Sequence, residues 1–130
     1  MHIHHIGYLV KKLDRAVASF EKLGYKLTVP PEWDSGRQAH ICFLENGGYC
    51  VELISPSKES PLFPLFKQYG NSPYHICYKC DDLEQAILDL QKQKFLLFKE
   101  PEPAPVIGEK ARVAFLINAN VGMIELVEEK

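Results

Sequence analysis

Along this chain the spacing of apolar positions changes in a fixed order, and that order occurs twice. From Ile3 to Val10 apolar and polar positions alternate, the period of a strand. After Asp14 the spacing becomes helical, with Ala16, Val17, Phe20 and Leu23 on one face, Leu13 just ahead, and Gly24 as the stop. Tyr25 to Val29 predicts a second strand ended by Pro30-Pro31, and Glu32 to Gly36 reads as a loop. Arg37 to Glu45 and Tyr49 to Ser55 predict a hairpin joined at Asn46-Gly47-Gly48, Asn-Gly being a strong hairpin signal. After a connecting segment, Pro73 to Cys80 opens the second pass. Asp82 with Gln85 three residues on forms a capping-box pattern before a helix whose inward face is Leu83, Ala86, Ile87 and Leu90. Phe95 to Lys99, Ala111 to Asn118 and Gly122 to Glu128 complete the second set of strands, with a loop from Glu100 to Lys110.

The two passes match residue by residue, most clearly over residues 5–28 against 75–98, where His5-Ile6-Gly7-Tyr8 answers to His75-Ile76-Cys77-Tyr78. An internal repeat of this length implies two equivalent modules, each too small to hold a core comfortably alone. The expected organisation is one domain over residues 1–130: module one 1–56, a linker 57–72, and module two 73–130. Within the linker, Ser60-Pro61, then Leu62, Leu65, Phe66, Tyr69 and Gly70, predict one short helix capped at both ends. The expected fold class is α+β. Duplicated βαβββ modules give an eight-stranded, mostly antiparallel, half-open barrel with helices on the outer face, leaving the concave side for a site.

Charge narrows the partners. The net charge is −2 and no block of like charge occurs, so nucleic acid and anionic membranes are not expected partners. No apolar run reaches the length of a spanning helix and no secretory signal opens the chain, so a cytoplasmic location is expected. The four cysteines read as reduced structural thiols. Cys77 and Cys80 have CxxC spacing but lie in a strand pattern that points them to opposite faces, and no second CxxC completes a zinc site.

Candidate chemistry sits at the repeated positions. Each module has one His in its first strand, His5 or His75, and one acid in its last, Glu52 in Val51-Glu52-Leu53 or Glu125 in Ile124-Glu125-Leu126. An unpaired carboxylate between strand-forming apolar residues is costly on a closed face, and a cation relieves that cost. Two imidazoles and two carboxylates make an N₂O₂ donor set suited to one divalent ion: Zn, Ni, Co, Mn or Fe. His2 and His4 lie on the other face from His5. His40 is read as structural, although its direction depends on the hairpin: a two-residue turn pairs Glu52 with Ile41 and turns His40 away, while a three-residue loop reverses this. Arg37 and Arg112 each open a strand beside the expected cavity, where they could hold a substrate carboxylate or phosphate.

The segments His5-Ile6-Gly7, Phe43-Leu44, Val51-Glu52-Leu53-Ile54-Ser55-Pro56, Tyr74-His75-Ile76, Val113-Ala114-Phe115-Leu116 and Ile124-Glu125-Leu126 resemble the vicinal oxygen chelate superfamily. Within it, the chain is similar to the methylmalonyl-CoA epimerase and glyoxalase I branches, and Ser60-Pro61-Leu62 looks like the epimerase pattern. The resemblance implies one metal held by His5, Glu52, His75 and Glu125. It also implies a proton shifted next to a carbonyl through a metal-stabilised enolate, with Glu125 as base and Glu52 on the opposite face of the substrate. The implied substrate is an acyl-CoA, another thioester or a 2-oxo adduct, and a homodimer is expected because open barrels expose strand edges. Two departures stand beside this. Ile41 occupies the place of a further epimerase glutamate, and Tyr8 stands where a basic residue of glyoxalase I is expected. The competing readings are a lactoylglutathione lyase of the glyoxalase I type, a dioxygenase on the same fold, and a metal-free binding protein. The last two are disfavoured by an acid at both Glu52 and Glu125. The proline-rich run Glu100 to Pro105 is either a stiff lid or only a connection.

Overall fold

The computed structural model describes residues 1–130 and contains eleven elements. They are β1 (His2–Leu9), α1 (Leu13–Lys22), β2 (Lys26–Asp34), β3 (Ala39–Asn46), β4 (Tyr49–Pro56), α2 (Phe63–Tyr69), β5 (Ser72–Lys79), α3 (Leu83–Gln91), β6 (Leu96–Pro103), β7 (Arg112–Asn118) and β8 (Gly122–Glu128). This is βαβββ twice, in an eight-stranded sheet whose neighbours are mostly antiparallel, as expected. No helix is long and apolar enough to cross a membrane. The chain divides into two compact units, His5–Tyr74 and His75–Lys130, the latter also taking Met1–His4, so the connecting segment belongs with the first.

In the first unit the strand order is β2-β3-β4-β1. The strands β2, β3 and β4 are antiparallel neighbours, whereas β1 runs parallel to β4, with Ile6 opposite Val51 and Leu9 opposite Ile54. One face of these strands is covered by α1: Val10, Leu13, Cys42, Leu44, Val51 and Leu53 form a core with Ala16, Val17, Phe20 and Tyr25 against it. The second unit repeats the order as β5-β8-β7-β6, with β5 parallel to β8. Leu83, Ala86 and Ile87 of α3 pack on Ala114, Leu116, Ile124 and Leu126. Asp82 caps α3 by accepting from Gln85 N at 3.0 Å, as the capping pattern predicts, although the Gln85 side chain turns to Asp89 instead of completing the box.

Four local expectations are corrected. Pro30-Pro31 does not end β2, which runs on to Asp34 past register shifts at Val29 and Glu32. The stretch from Glu100 to Pro103 likewise continues β6. Both strands are outermost in their units, where a proline forfeits no ladder bond. Of the expected Asn46-Gly47-Gly48 joint, only Gly47-Gly48 form the turn, since Asn46 still pairs with Tyr49. Both glycines have positive φ, 55° and 87°, as a type I′ turn requires, and Asn46 donates its amide to Leu23 O at the end of α1. In the linker, Ser60 does not cap α2, whose N-cap is Leu62; Gly70 does end it, with φ 71°.

Candidate functional site

Each unit has a second strand face, turned away from its helix, and each places one imidazole beside one carboxylate there. In the first unit, parallel pairing sets Gly7 opposite Glu52, and Phe43 lies opposite Glu52 on the other side. His5 Nε2 is 3.2 Å from Glu52 Oε1, and the His5 ring meets Phe43 edge-on at 5.4 Å. In the second unit Cys77 and Phe115 flank Glu125 in the same way. His75 Nε2 is 3.0 Å from Glu125 Oε1, and the His75 ring meets Phe115 edge-on at 5.5 Å. All four ionisable residues are buried, with at most 4% of their surface exposed. Desolvation on that scale is tolerable only where a carboxylate has compensating partners.

The phenylalanines were not singled out from sequence, although a signal was present. Each stands opposite the glutamate of its module, and the spacing differs by one because the second hairpin has a longer turn, from Asn118 to Gly122. The same register turns His40 away from Glu52 without the pairing to Ile41 that the expected turn implied. His40 faces Ser55 and stacks edge-on with Trp33 at 4.9 Å. Ile41 is fully buried opposite Ile54.

The two arginines have separate fates. Arg37 is buried in the turn before β3 and donates from Nη1 to Glu52 Oε2 at 3.2 Å. That turn is tied down on three sides. Arg37 N donates to Asp34 Oδ1 at 3.0 Å, Ser60 Oγ donates to Arg37 O at 2.6 Å, and Ser57 N donates to Gln38 O at 3.0 Å. Arg112 lies on the helix-covered face of β7, not with Glu125. It grips Glu84 of α3 with two bonds of 2.8 Å and reaches Glu128 at 3.0 Å. Glu128 also accepts from Leu83 N at 2.8 Å; that bond, then Arg112, holds its carboxyl below the usual range. His4 pairs with Glu129. Tyr8 packs edge-on against Phe20 on the α1 side. Residues 104–111 pack down, since Ala104, Val106 and Ala111 are buried and Ala104 and Ala111 join Cys77, Val113 and Val127 in one cluster. Ala104 N donates to Ala111 O at 2.9 Å, so this segment is a connection and not a lid.

Residues 4–115 match the family model described as the Glyoxalase/Bleomycin resistance protein/Dioxygenase superfamily. The chain belongs to this superfamily. It is 29% identical over 104 residues to the mitochondrial methylmalonyl-CoA epimerase of Homo sapiens, covering 75% of this chain and 57% of that protein's length. A hypothetical protein from Bacillus halodurans C-125 has the same fold with TM-score 0.87 and 28% identity, over 98% of this chain and 94% of that one. A Streptomyces coelicolor methylmalonyl-CoA epimerase variant, in complex with 2-nitronate-propionyl-CoA, superposes with TM-score 0.84 at 20% identity, over 99% of this chain and 94% of its own. For a superfamily member, a buried His-Glu pair repeated in each module has a chemical use. Imidazole Nε2 and carboxylate Oε1 atoms are hard-to-borderline donors, the kind that can hold a divalent cation.

Proposed function

We propose that this superfamily member is a divalent-metal-dependent enzyme that moves a proton next to the carbonyl of an acyl-CoA thioester, as a methylmalonyl-CoA epimerase does. The observation that carries the reading is the duplicated buried pair, His5 with Glu52 and His75 with Glu125, each braced by a phenylalanine edge. Each pair, His5 with Glu52 and His75 with Glu125, offers one imidazole and one carboxylate to a cation. When bound, such a cation supplies positive charge that stabilises an enolate oxygen, worth several kcal/mol to a reaction on so weak a carbon acid. Glu125 takes the α-proton; Glu52, expected on the opposite face, has Oε2 held by Arg37 and serves as a cation ligand, leaving solvent to return a proton there. Neither arginine receives a substrate contact in this reading, because Arg37 is committed to Glu52 and Arg112 to Glu84 and Glu128. The human relative and the acyl-CoA analogue bound to the Streptomyces coelicolor protein support a thioester substrate.

One observation favours a second reading. Ile41 is apolar and fully buried where a second epimerase acid is expected, and a 1,2-proton shift on one face, of the glyoxalase I type, does not need that acid. The experiment is incubation of metal-loaded protein with methylmalonyl-CoA in D₂O, following α-deuteration by mass spectrometry. Deuterium uptake lost in Glu125→Gln supports the first reading. No uptake, with conversion of the methylglyoxal–glutathione hemithioacetal, supports the second. Inertness toward both, in protein that takes up no Ni²⁺, Co²⁺ or Zn²⁺, overturns the catalytic reading. The homodimer belongs to the same proposal and is tested by light scattering.

A further inference from the structure

Building on that reading of the donor set, we infer that Arg37 is a positioning residue for the cation. It holds Glu52 through Oε2, so that Oε1 alone is presented beside His5 Nε2. The bond from Arg37 Nη1 to Oε2 and the approach of His5 to Oε1 are both 3.2 Å, which fixes the carboxylate plane from two sides. The guanidinium is itself immobilised. Arg37 is 5% exposed, and Asp34, Ser60 and Ser57 secure its turn through the bonds described above. Ser60 also accepts from Leu62 N at 3.1 Å, so the start of the linker is tied into the same clamp.

The residue at the matching place in the repeat is of a different kind. Phe43 and Phe115 define equivalent positions opposite the two glutamates, and counting back from each aligns Arg37 with Glu109, an exposed acid. Glu52 accepts from Arg37 and neighbours His5, and Glu125 neighbours His75. Arg37 also offsets one of the two negative charges of the donor set. Outer partners of this type orient ligands and tune affinity.

The test uses the full chain stripped with EDTA and titrated with Co²⁺ by calorimetry and visible absorption. Arg37→Met is expected to weaken Co²⁺ binding about 10–100-fold and to change the Co²⁺ spectrum, as Glu52 gains freedom to bind through both oxygens. Arg37→Lys, which keeps one donor and the charge, should recover part of both. In a Glu52→Gln background, Arg37→Met should cost less than roughly threefold, because the linked charge is gone. A folded Arg37→Met protein with wild-type affinity and spectrum overturns the inference. So does a loss of equal size in the Glu52→Gln background. If Arg37→Met does not fold, Arg37→Lys decides: an altered spectrum with weakened affinity sustains the inference, and wild-type values overturn it. Wild-type protein that takes up no Co²⁺ refutes the metal reading itself, a distinguishable failure.

Discussion

Glu52 and Glu125 occupy equivalent positions, yet the structure gives their loss unequal costs in the metal-free protein. Glu52→Leu removes an acceptor of the Arg37 guanidinium, whose side chain is 7% exposed, and a neighbour of His5 Nε2. Breaking a buried ion pair by deleting one member costs about 3–5 kcal/mol. Glu125→Leu removes a 3.0 Å partner from the His75 imidazole, a change of about 1–3 kcal/mol. The difference, about 2 kcal/mol, corresponds to roughly 8 °C in Tm for a chain of this length. Differential scanning fluorimetry and urea unfolding in EDTA measure both variants on one scale. A third protein, Arg37→Met with Glu52→Leu, should be more stable than Glu52→Leu alone, because removing both charges leaves none stranded. If Glu125→Leu melts as low as Glu52→Leu, or the double variant melts lower than either, the burial argument is refuted.

Further outcomes follow from the same structure. Saturating Ni²⁺, Co²⁺ or Zn²⁺ at a hundred times Kd should stabilise EDTA-treated wild-type protein by about 2.7 kcal/mol, and Glu125→Gln should reduce that gain, both read by thermal melts. Burial pushes the Cys42 thiol up to about 12 and the Cys50 thiol to about 11, with nearby glutamates adding to each shift. Ellman's reagent at pH 8 should therefore label both slowly until the protein unfolds, and rapid labelling of either in native protein would contradict this. The Glu128 carboxyl is lowered by Leu83 N–H and Arg112, so its contribution to stability is present above the ordinary carboxylate range and is lost as pH falls through its folded value. The stability gap between wild type and Glu128→Gln should accordingly close in acid, as measured by urea titration across pH. Lys94 adopts φ 68° at the position where the first module has Gly24, so Lys94→Gly should raise stability by about 1 kcal/mol.

Much of the fold was legible because period and punctuation agree. The helices α1 and α3 lie where the spacing of Phe20 and Ile87 placed them, and the His and Glu strands are those expected. Proline misled at β2 and β6 because edge strands do not need the missing N–H, a fact of sheet position invisible in a local window. The hairpin turn was displaced because two adjacent glycines satisfy two positive φ angles better than Asn-Gly, and because Asn46 serves the end of α1. His5, Glu52, His75 and Glu125 stood out as ionisable residues at matching places in apolar strands, and all four are buried. Arg37 could not be placed the same way, since its direction depends on Asp34 and on Ser57 and Ser60 from beyond the hairpin.

The parallel pairing of β1 with β4, and of β5 with β8, bears on the order of folding events. Hairpins β3–β4 and β7–β8 join neighbours in sequence and can zip up early, whereas bringing Ile6 to Val51 or Ile76 to Ile124 closes a long loop at an entropic cost. In each module the imidazole and carboxylate therefore meet among the last contacts made. A ligand that binds only once both partners are in place stabilises the native state, so its imprint should be a longer native lifetime.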